Sequence, residues 1–282
     1  MTSVRAPARW GAAVIVTRPG EAGQRLSAGL RDLGLAALWW PVFDLLPPLD
    51  ASALQSMAQR LAEFDLVIFV SPASVRGWAN LDLCAQWPAA TAIAGVGATT
   101  LQLARSALPG AGAARGIAPC ADTVLAGSEG LWEALRRQTP LPRHVLIVRA
   151  ESGREWLADR LREAGAQVEY ASVYRRLMHA PSPEQRAALG ACVATATDAA
   201  TIMTSSEAVA ALDSQLEQAQ DLQAWLRQGL VLASHPRIAQ ALVSAGYGRV
   251  QQCEPEILQV AEAIGRAGRS ERGRLLAESS PR

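Results

Sequence analysis

The residues of this chain best able to do chemistry stand in short polar turns, each closing an apolar run and opening a helical one. They read Thr17-Arg18-Pro19-Gly20, Ser71-Pro72-Ala73-Ser74, Gly97-Ala98-Thr99, Arg149-Ala150-Glu151-Ser152-Gly153-Arg154, Thr204-Ser205-Ser206 and Ser234-His235-Pro236. Ser and Thr at such places cap a helix, and Pro suits its first turn, so any single turn needs no ligand to explain it. Six together predict a ring of backbone N–H groups and positive dipole ends at the carboxyl edges of parallel sheets, a surface suited to a polyanion. Candidate binding residues are Arg18, Ser71, Ala73, Ser74, Gly97, Arg149, Gly153, Arg154, Ser205, Ser206, Ser234 and His235. Arg149 and Arg154 flank Gly153 at one expected helix start, and Arg18 opens the equivalent turn. A cation opposes the macrodipole there, so either a carboxylate ligand or an internal pair with Glu151 or Glu155 must compensate. Tyr174 ends a strand, where it can donate a hydrogen bond or a proton, or simply pack with its hydroxyl at the rim.

Other chemistries lack their residues. No Ser, His and Asp stand at triad spacing, Ser71-Pro72 is not a nucleophile elbow, and His235 in Ser-His-Pro reads as a capped turn rather than a base. Gly95-Val96-Gly97 supplies only the first half of a dinucleotide-binding glycine motif. Glu254 and Glu256 flank Pro255 at a helix start, where capping explains them. All 27 basic residues are Arg, which excludes a Lys Schiff base, a pyridoxal phosphate anchor and a P-loop Lys. Cys84, Cys120, Cys192 and Cys253 show no metal-ligand spacing, so no metal site is expected and the thiols read as core or incidental in a reducing compartment. A net charge of +1 without an aromatic-basic stripe argues against nucleic acid. No apolar run approaches the length of a membrane span and no signal-peptide core opens the chain. The expectation is a soluble, cytoplasmic protein with no membrane contact.

The elements that must position these turns come from a sequence that repeats itself. Val14-Ile15-Val16-Thr17-Arg18 returns as Leu146-Ile147-Val148-Arg149, and Arg18 and Arg149 stand 131 positions apart, as do Gly34 and Gly165. Ser71-Pro72-Ala73-Ser74-Val75 returns as Ser205-Ser206-Glu207-Ala208-Val209, and Gly97-Ala98-Thr99 falls opposite His235-Pro236-Arg237. Such long, ordered spacing marks a duplicated domain. Strands are expected at 12–17, 38–45, 65–70, 91–95, 144–149, 167–174, 199–203 and 230–233, with 115–118 a weaker candidate. Helices are expected at 20–34, 51–62, 72–80, 97–107, 122–138, 153–164, 183–190, 206–218, 236–245 and 255–266. Short strands apolar on both faces and separated by helices indicate doubly wound, flavodoxin-like α/β domains. Trp39–Asp44 and Val168–Arg175 instead alternate apolar and polar residues. They are either two edge strands or a two-stranded connector. Residues 1–10 read as a loose arm, and the Arg/Glu/Ser-rich tail 267–282 as disordered.

Taken in order, the motifs resemble the uroporphyrinogen-III synthase family. The resemblance rests on Val16-Thr17-Arg18-Pro19, Phe69–Val75, Val96–Thr100, Ile147-Val148-Arg149 with Gly153–Leu157, Ser172–Arg176, Thr204–Val209, Ser234–Ala239 and Ala245-Gly246-Tyr247. It implies two intertwined domains, 1–37 with 178–266 and 45–167, joined by connector strands 38–44 and 168–177 around an interdomain cleft. It further implies cofactor-free cyclisation of hydroxymethylbilane, a linear tetrapyrrole, to uroporphyrinogen III, with inversion of ring D and loss of water. Tyr174 falls at the family's proposed acid and Thr99 at its polar helix-start position. Where some relatives carry Thr this chain has Arg237-Ile238, so Ser234 or backbone takes that place. A monomer and transient contact with the preceding pathway enzyme are also expected. The alternative is a non-catalytic two-lobed module that clamps an anionic ligand.

Overall fold

A strand that is apolar on both faces is stable only between two layers of helix, and its polar chemistry is left to its ends. The computed structural model describes residues 12–81, 86–120, 127–195 and 198–278, with side chains to 269. The N-terminal arm, Cys84, the first part of the helix expected over 122–138 and residues 279–282 lie outside the described residues. The first elements are β1 (Ala12–Val16), α1 (Gly20–Asp32), β2 (Ala36–Trp39), β3 (Phe43–Leu46), α2 (Ser52–Gln59), β4 (Leu66–Phe69), α3 (Pro72–Asn80), β5 (Ala92–Gly95), α4 (Ala98–Ala107), β6 (Gly116–Ile117) and α5 (Gly127–Leu135). They are followed by β7 (His144–Ala150), α6 (Trp156–Glu163), β8 (Gln167–Met178), α7 (Pro183–Thr195), β9 (Asp198–Met203), α8 (Glu207–Gln215), α9 (Gln220–Gln228), β10 (Leu230–Ala233), α10 (Pro236–Ser244), β11 (Arg249–Gln252) and α11 (Ile257–Glu278).

The chain divides into two units, Met1–Asp44 with Leu177–Arg282, and Leu45–Arg176. The first unit holds a five-stranded sheet in the order β11-β10-β9-β1-β2, with every neighbouring pair parallel. Alternate residues of its central strands serve two cores. Ile15, Met203 and Val231 face α8, α9 and α10, while Val14, Val16, Ile202 and Leu232 face α1 and α11. The second unit holds a six-stranded sheet in the order β3-β8-β7-β4-β5-β6, in which the pairs β8·β7, β7·β4, β4·β5 and β5·β6 are parallel. Val67, Phe69, Leu146 and Val148 face α3 and α4, and Leu66, Ile68, Val145 and Ile147 face α5 and α6. Each such side chain, fully removed from water, contributes about 1.5–3 kcal/mol. This is the doubly wound α/β class that the apolar runs predicted.

The two sheets also show how the repeat is used. β1 lies between β2 and β9, and its repeat β7 lies between β8 and β4. The first two strands of one copy therefore complete the sheet of the other.

Several elements differ from the sequence expectation. The single strand expected over 38–45 is two strands. β2 pairs with β1 and β3 belongs to the other sheet, because Pro41, which has no N–H, interrupts the ladder between them. There Trp40 N–H donates to Val16 O and Val42 N–H to Thr17 O. The segment 168–177, expected as a connector strand, falls within β8, which also pairs with β7 from Gln167 to Tyr174 and is part of the second sheet. α6 begins at Trp156 rather than 153. α11 continues to Glu278 instead of giving way to a disordered tail at 267, since Ala, Leu, Arg and Glu in that stretch all favour helix. In the first unit, Gln215 binds the departing and returning segments together. Its amide nitrogen donates to Pro41 O at 3.2 Å and His179 O at 2.7 Å, and its oxygen accepts from Trp40 Nε1 at 2.9 Å.

The seat of α4 depends on a missing side chain. A Cβ on Gly95 stands 2.5 Å from the Leu101 backbone nitrogen and 3.0 Å from Gly97 O, so the first turn of α4 rests directly on the end of β5. Gly95→Ala is expected to lower stability by about 1–3 kcal/mol, measured by denaturant unfolding. An unchanged midpoint rules out this account of the α4 seat.

Candidate functional site

In the second unit, the turns after β4 and β5 and the end of β8 lie at the carboxyl edge of one sheet. Ser71 caps α3 in a closed reciprocal box. Its Oγ accepts from Ser74 N–H at 3.1 Å, its own N–H donates to Ser74 Oγ at 3.2 Å, and Ser74 Oγ donates to Ser71 O at 2.7 Å. Ser74 is fully buried, so this candidate ligand is instead part of the frame. Pro72 has no N–H and Val75 N–H donates to Ser71 O. Among the described residues this leaves Ala73 as the one unsatisfied backbone donor of that turn. α4 is more open. Gly97 provides no side-chain cap, and no described group accepts from the N–H of Ala98, Thr99 or Thr100. Thr99 is exposed there. Three uncapped donors at a helix start are a place where negative charge is stabilised.

Tyr174 is aimed by an irregularity in its strand. Arg149 pairs with Ser172 but Ala150 pairs with Tyr174, so β8 carries a bulge at Val173. With regular alternation Tyr174 shares the α5–α6 face with Tyr170, which packs in that core. The bulge turns it to the opposite face, where it packs with Ala171, Val173 and the residues of α3 and α4. A Cβ on Gly77 of α3 stands 2.8 Å from Val173 Cγ2, so α3 lies directly against the bulged residue.

The arginines expected to meet a ligand are paired within the protein. Arg149 is not at a helix start. It is the penultimate residue of β7, is 6% exposed and donates to Glu155 Oε1 at 2.6 Å, with its guanidinium carbon 4.9 Å from the Tyr170 ring centre. Tyr170 donates its hydroxyl to the other Glu155 oxygen. Arg154 pairs with Glu129 at 2.5 Å and stacks 5.0 Å from the Trp156 ring. Arg149 thus has Glu155, one of the two internal partners the sequence offered, whereas Arg154 takes Glu129, which it did not offer. Gly153 is exposed in the loop between them. The Tyr170 hydroxyl first, and then Arg149, hold the Glu155 carboxyl below the usual carboxylate range, and burial followed by Glu155 pushes the Tyr170 hydroxyl up.

The first unit presents the matching turns in a more closed form. Thr17 is buried and donates to Ile202 O at 2.7 Å, and Trp39 Nε1 donates to Arg18 O at 2.9 Å. Ser205 Oγ accepts from Ala208 N–H at 3.2 Å, and Ser206 is exposed beside it. His235 caps α10, its Nδ1 accepting from Arg237 N–H at 3.2 Å, which requires that nitrogen to be unprotonated. Ser234 is half-buried and its N–H donates to Met203 O. The six turns thus differ in how many donors they leave open.

Against known families, the model of uroporphyrinogen-III synthase HemD matches residues 24–259. The chain belongs to the uroporphyrinogen-III synthase family. It is 31% identical to the uroporphyrinogen-III synthase of Escherichia coli K12 over 166 residues, which span 58% of this chain and 64% of that protein. It is 28% identical to that of Proteus mirabilis over 172 residues, 80% of that protein. Among solved structures, it resembles a mutant uroporphyrinogen III synthase of Thermus thermophilus at TM-score 0.59 and 19% identity, covering 93% of this chain and 99% of that one. The Helicobacter pylori 26695 enzyme follows at TM-score 0.53 and 14% identity, covering 91% and 99%. These two likenesses establish a shared fold.

The family motifs Phe69–Val75, Val96–Thr100 and Ser172–Arg176 lie at one edge of the second sheet. Tyr170 escaped sequence reasoning as a partner of Glu155 and Arg149. The β7–β8 register brings them together, since it sets Ile147 beside Tyr170 and Arg149, two residues beyond, shares that face. Because Glu155 is held below its ordinary value of about 4.3, its ionised form stabilises the fold above that pH, and the contribution is lost as pH falls through the folded value. Glu155→Gln is expected to be less stable than the parent at pH 7 and to converge with it as pH falls below the folded value. Urea unfolding at a series of pH values checks this. A constant difference across the series disproves the pairing's contribution.

Proposed function

We propose that this chain is a cyclising lyase that converts hydroxymethylbilane to uroporphyrinogen III. The observation that carries this reading is the bulge that turns Tyr174 onto the face where α3 and α4 begin, together with the open donors of Ala73, Ala98 and Thr99. A carboxylate-bearing tetrapyrrole meets backbone donors there, and the phenol provides an acid on the same face.

The chemistry asks mainly for geometry. The terminal hydroxyl of the substrate leaves as its C–O bond breaks, taking a proton from Tyr174 to become water. The azafulvene electrophile so formed is attacked by the substituted carbon of ring D, giving a spiro-pyrrolenine. That intermediate fragments and recloses with ring D inverted, and the proton lost as the pyrrole is restored returns to the phenolate. Holding the chain folded lets the substituted carbon compete with the unsubstituted one, an orientational effect that intramolecular reactions show to be large. Ser71, Ser74, Arg149 and Arg154 act in this reading by shaping the turns, and Thr99 with the open N–H groups touches substrate. Delivery of so reactive a substrate favours transient contact with the enzyme that makes it, and we take the catalyst to be a cytoplasmic monomer. No helix among the described residues is long and apolar enough to cross a membrane.

Given freshly made hydroxymethylbilane, the purified protein is expected to yield the type III isomer by chromatography. Appearance of the type I isomer alone defeats the enzyme reading and leaves the anion-clamping module in its place. Tyr174→Phe is expected to lower kcat by roughly a hundredfold with little change in KM. An unaffected rate removes Tyr174 from the acid role.

A further inference from the structure

A bulge defines a direction only if the strand on each side of it is held. On the β7 side, Glu151 N–H donates to Tyr174 O at 2.9 Å, so the first residue of the loop 151–155 fixes the backbone of Tyr174 itself. The next residue, Ser152, accepts from Arg176 Nη2 at 3.3 Å. The far end of the same loop is fastened through Glu155, whose two oxygens take Arg149 of β7 and Tyr170 of β8. Arg162 of α6 lies over the Tyr170 ring at 5.4 Å. Tyr170 stands four residues before Tyr174, on the opposite face of the same strand. Glu155 therefore joins the end of β7, the loop and β8 on the face behind the bulge, while Val173 is pressed by α3 from the front.

We propose that Arg149, Glu155 and Tyr170 form a positioning device that clamps β8 behind its bulge and so holds the Tyr174 hydroxyl on the α3–α4 face. None of the three needs to touch substrate. They act through the backbone of residues 170–174, and their effect on turnover rests on the reading of Tyr174 as the acid.

The chain has three tyrosines, Tyr170, Tyr174 and Tyr247, so the full-length protein labelled with 3-fluorotyrosine gives three fluorine resonances, assignable by single Tyr→Phe variants. Tyr247 lies in the other unit, buried beside Asp213, and serves as an internal reference. In Glu155→Gln the Tyr174 resonance is expected to shift while Tyr247 stays in place, with kcat reduced roughly tenfold or more and KM nearly unchanged. Tyr170→Phe, which removes only the hydroxyl and keeps the ring under Arg149, gives a milder variant with the same displacement of Tyr174. A Tyr174 resonance unmoved in both variants overturns the proposal. So does a disturbance shared equally by Tyr247, which marks general loosening. If Tyr174 moves in both variants while Tyr174→Phe retains full turnover, the clamp stands and the acid role of Tyr174 falls, so the two readings fail separately.

Discussion

Apolar burial on both faces of two parallel sheets is the constraint from which the rest of this structure follows. Val14, Ile15, Val67, Ile68, Leu146 and Val231 have no measurable exposure, and no polar group can be placed among them without an unpaired donor or acceptor. Function is thereby confined to strand ends, and each end must both cap a helix and remain open to a ligand. Arg149 shows the limit. It is the one buried Arg among the described residues, it stands one residue before the end of β7, and its charge is met at once by Glu155 and the face of Tyr170. Burying that guanidinium without the carboxylate costs several kcal/mol, so the pair and the loop that carries it form together.

The second consequence concerns direction. A strict two-residue alternation sends every second side chain of β8 to the α5–α6 face, and Tyr174 has the parity of Tyr170. One extra residue at Val173 reverses that parity for the remainder of the strand. The reversal depends on α3 approaching close enough to contact Val173, which Gly77 permits, and on β7 continuing to pair beyond the irregularity through Ala150 and Glu151. Packing in front and polar fastening behind thus determine the position of one hydroxyl.

Much of this was legible in the sequence, for reasons that can be assigned residue by residue. β1, β4, β5, β7, β9 and β10 are apolar runs between helical patterns, and their places follow from composition alone. β11 escaped because Arg249-Val250-Gln251-Gln252 is an edge strand with one apolar residue. α9 escaped although Leu222, Trp225 and Leu226 keep helical spacing, since it follows α8 with only a short break. The split of 38–45 turns on Pro41, a residue whose meaning is clear only once two sheets compete for the same segment. At the site, the turns were found but their contents were not. Whether Ser71 faces a ligand or Ser74, and whether Arg149 faces a carboxylate of substrate or of Glu155, depends on side-chain distances that spacing does not encode. The bulge leaves no mark in composition at all.

The duplication explains why those contents differ. Both copies inherited a helix start after the equivalent strand, α4 after β5 and α10 after β10. In α10 the first residue is Pro236, the second N–H is taken by His235 Nδ1 and the third donates to His235 O, so its positive end is spent internally. In α4 the cap is Gly97 and the first three residues are Ala98, Thr99 and Thr100, so the same end remains open. Donors already bonded gain little from an arriving carboxylate, while unbonded ones exchange only water for it. Of these two helix starts, the capacity to attract negative charge therefore lies at α4, beside the face to which Tyr174 is turned. Under the proposed function such a division suits a substrate that must be oriented rather than gripped. Neutral backbone donors fix a carboxylate by direction, whereas a free guanidinium at the same place binds ground state and transition state alike and adds nothing to turnover.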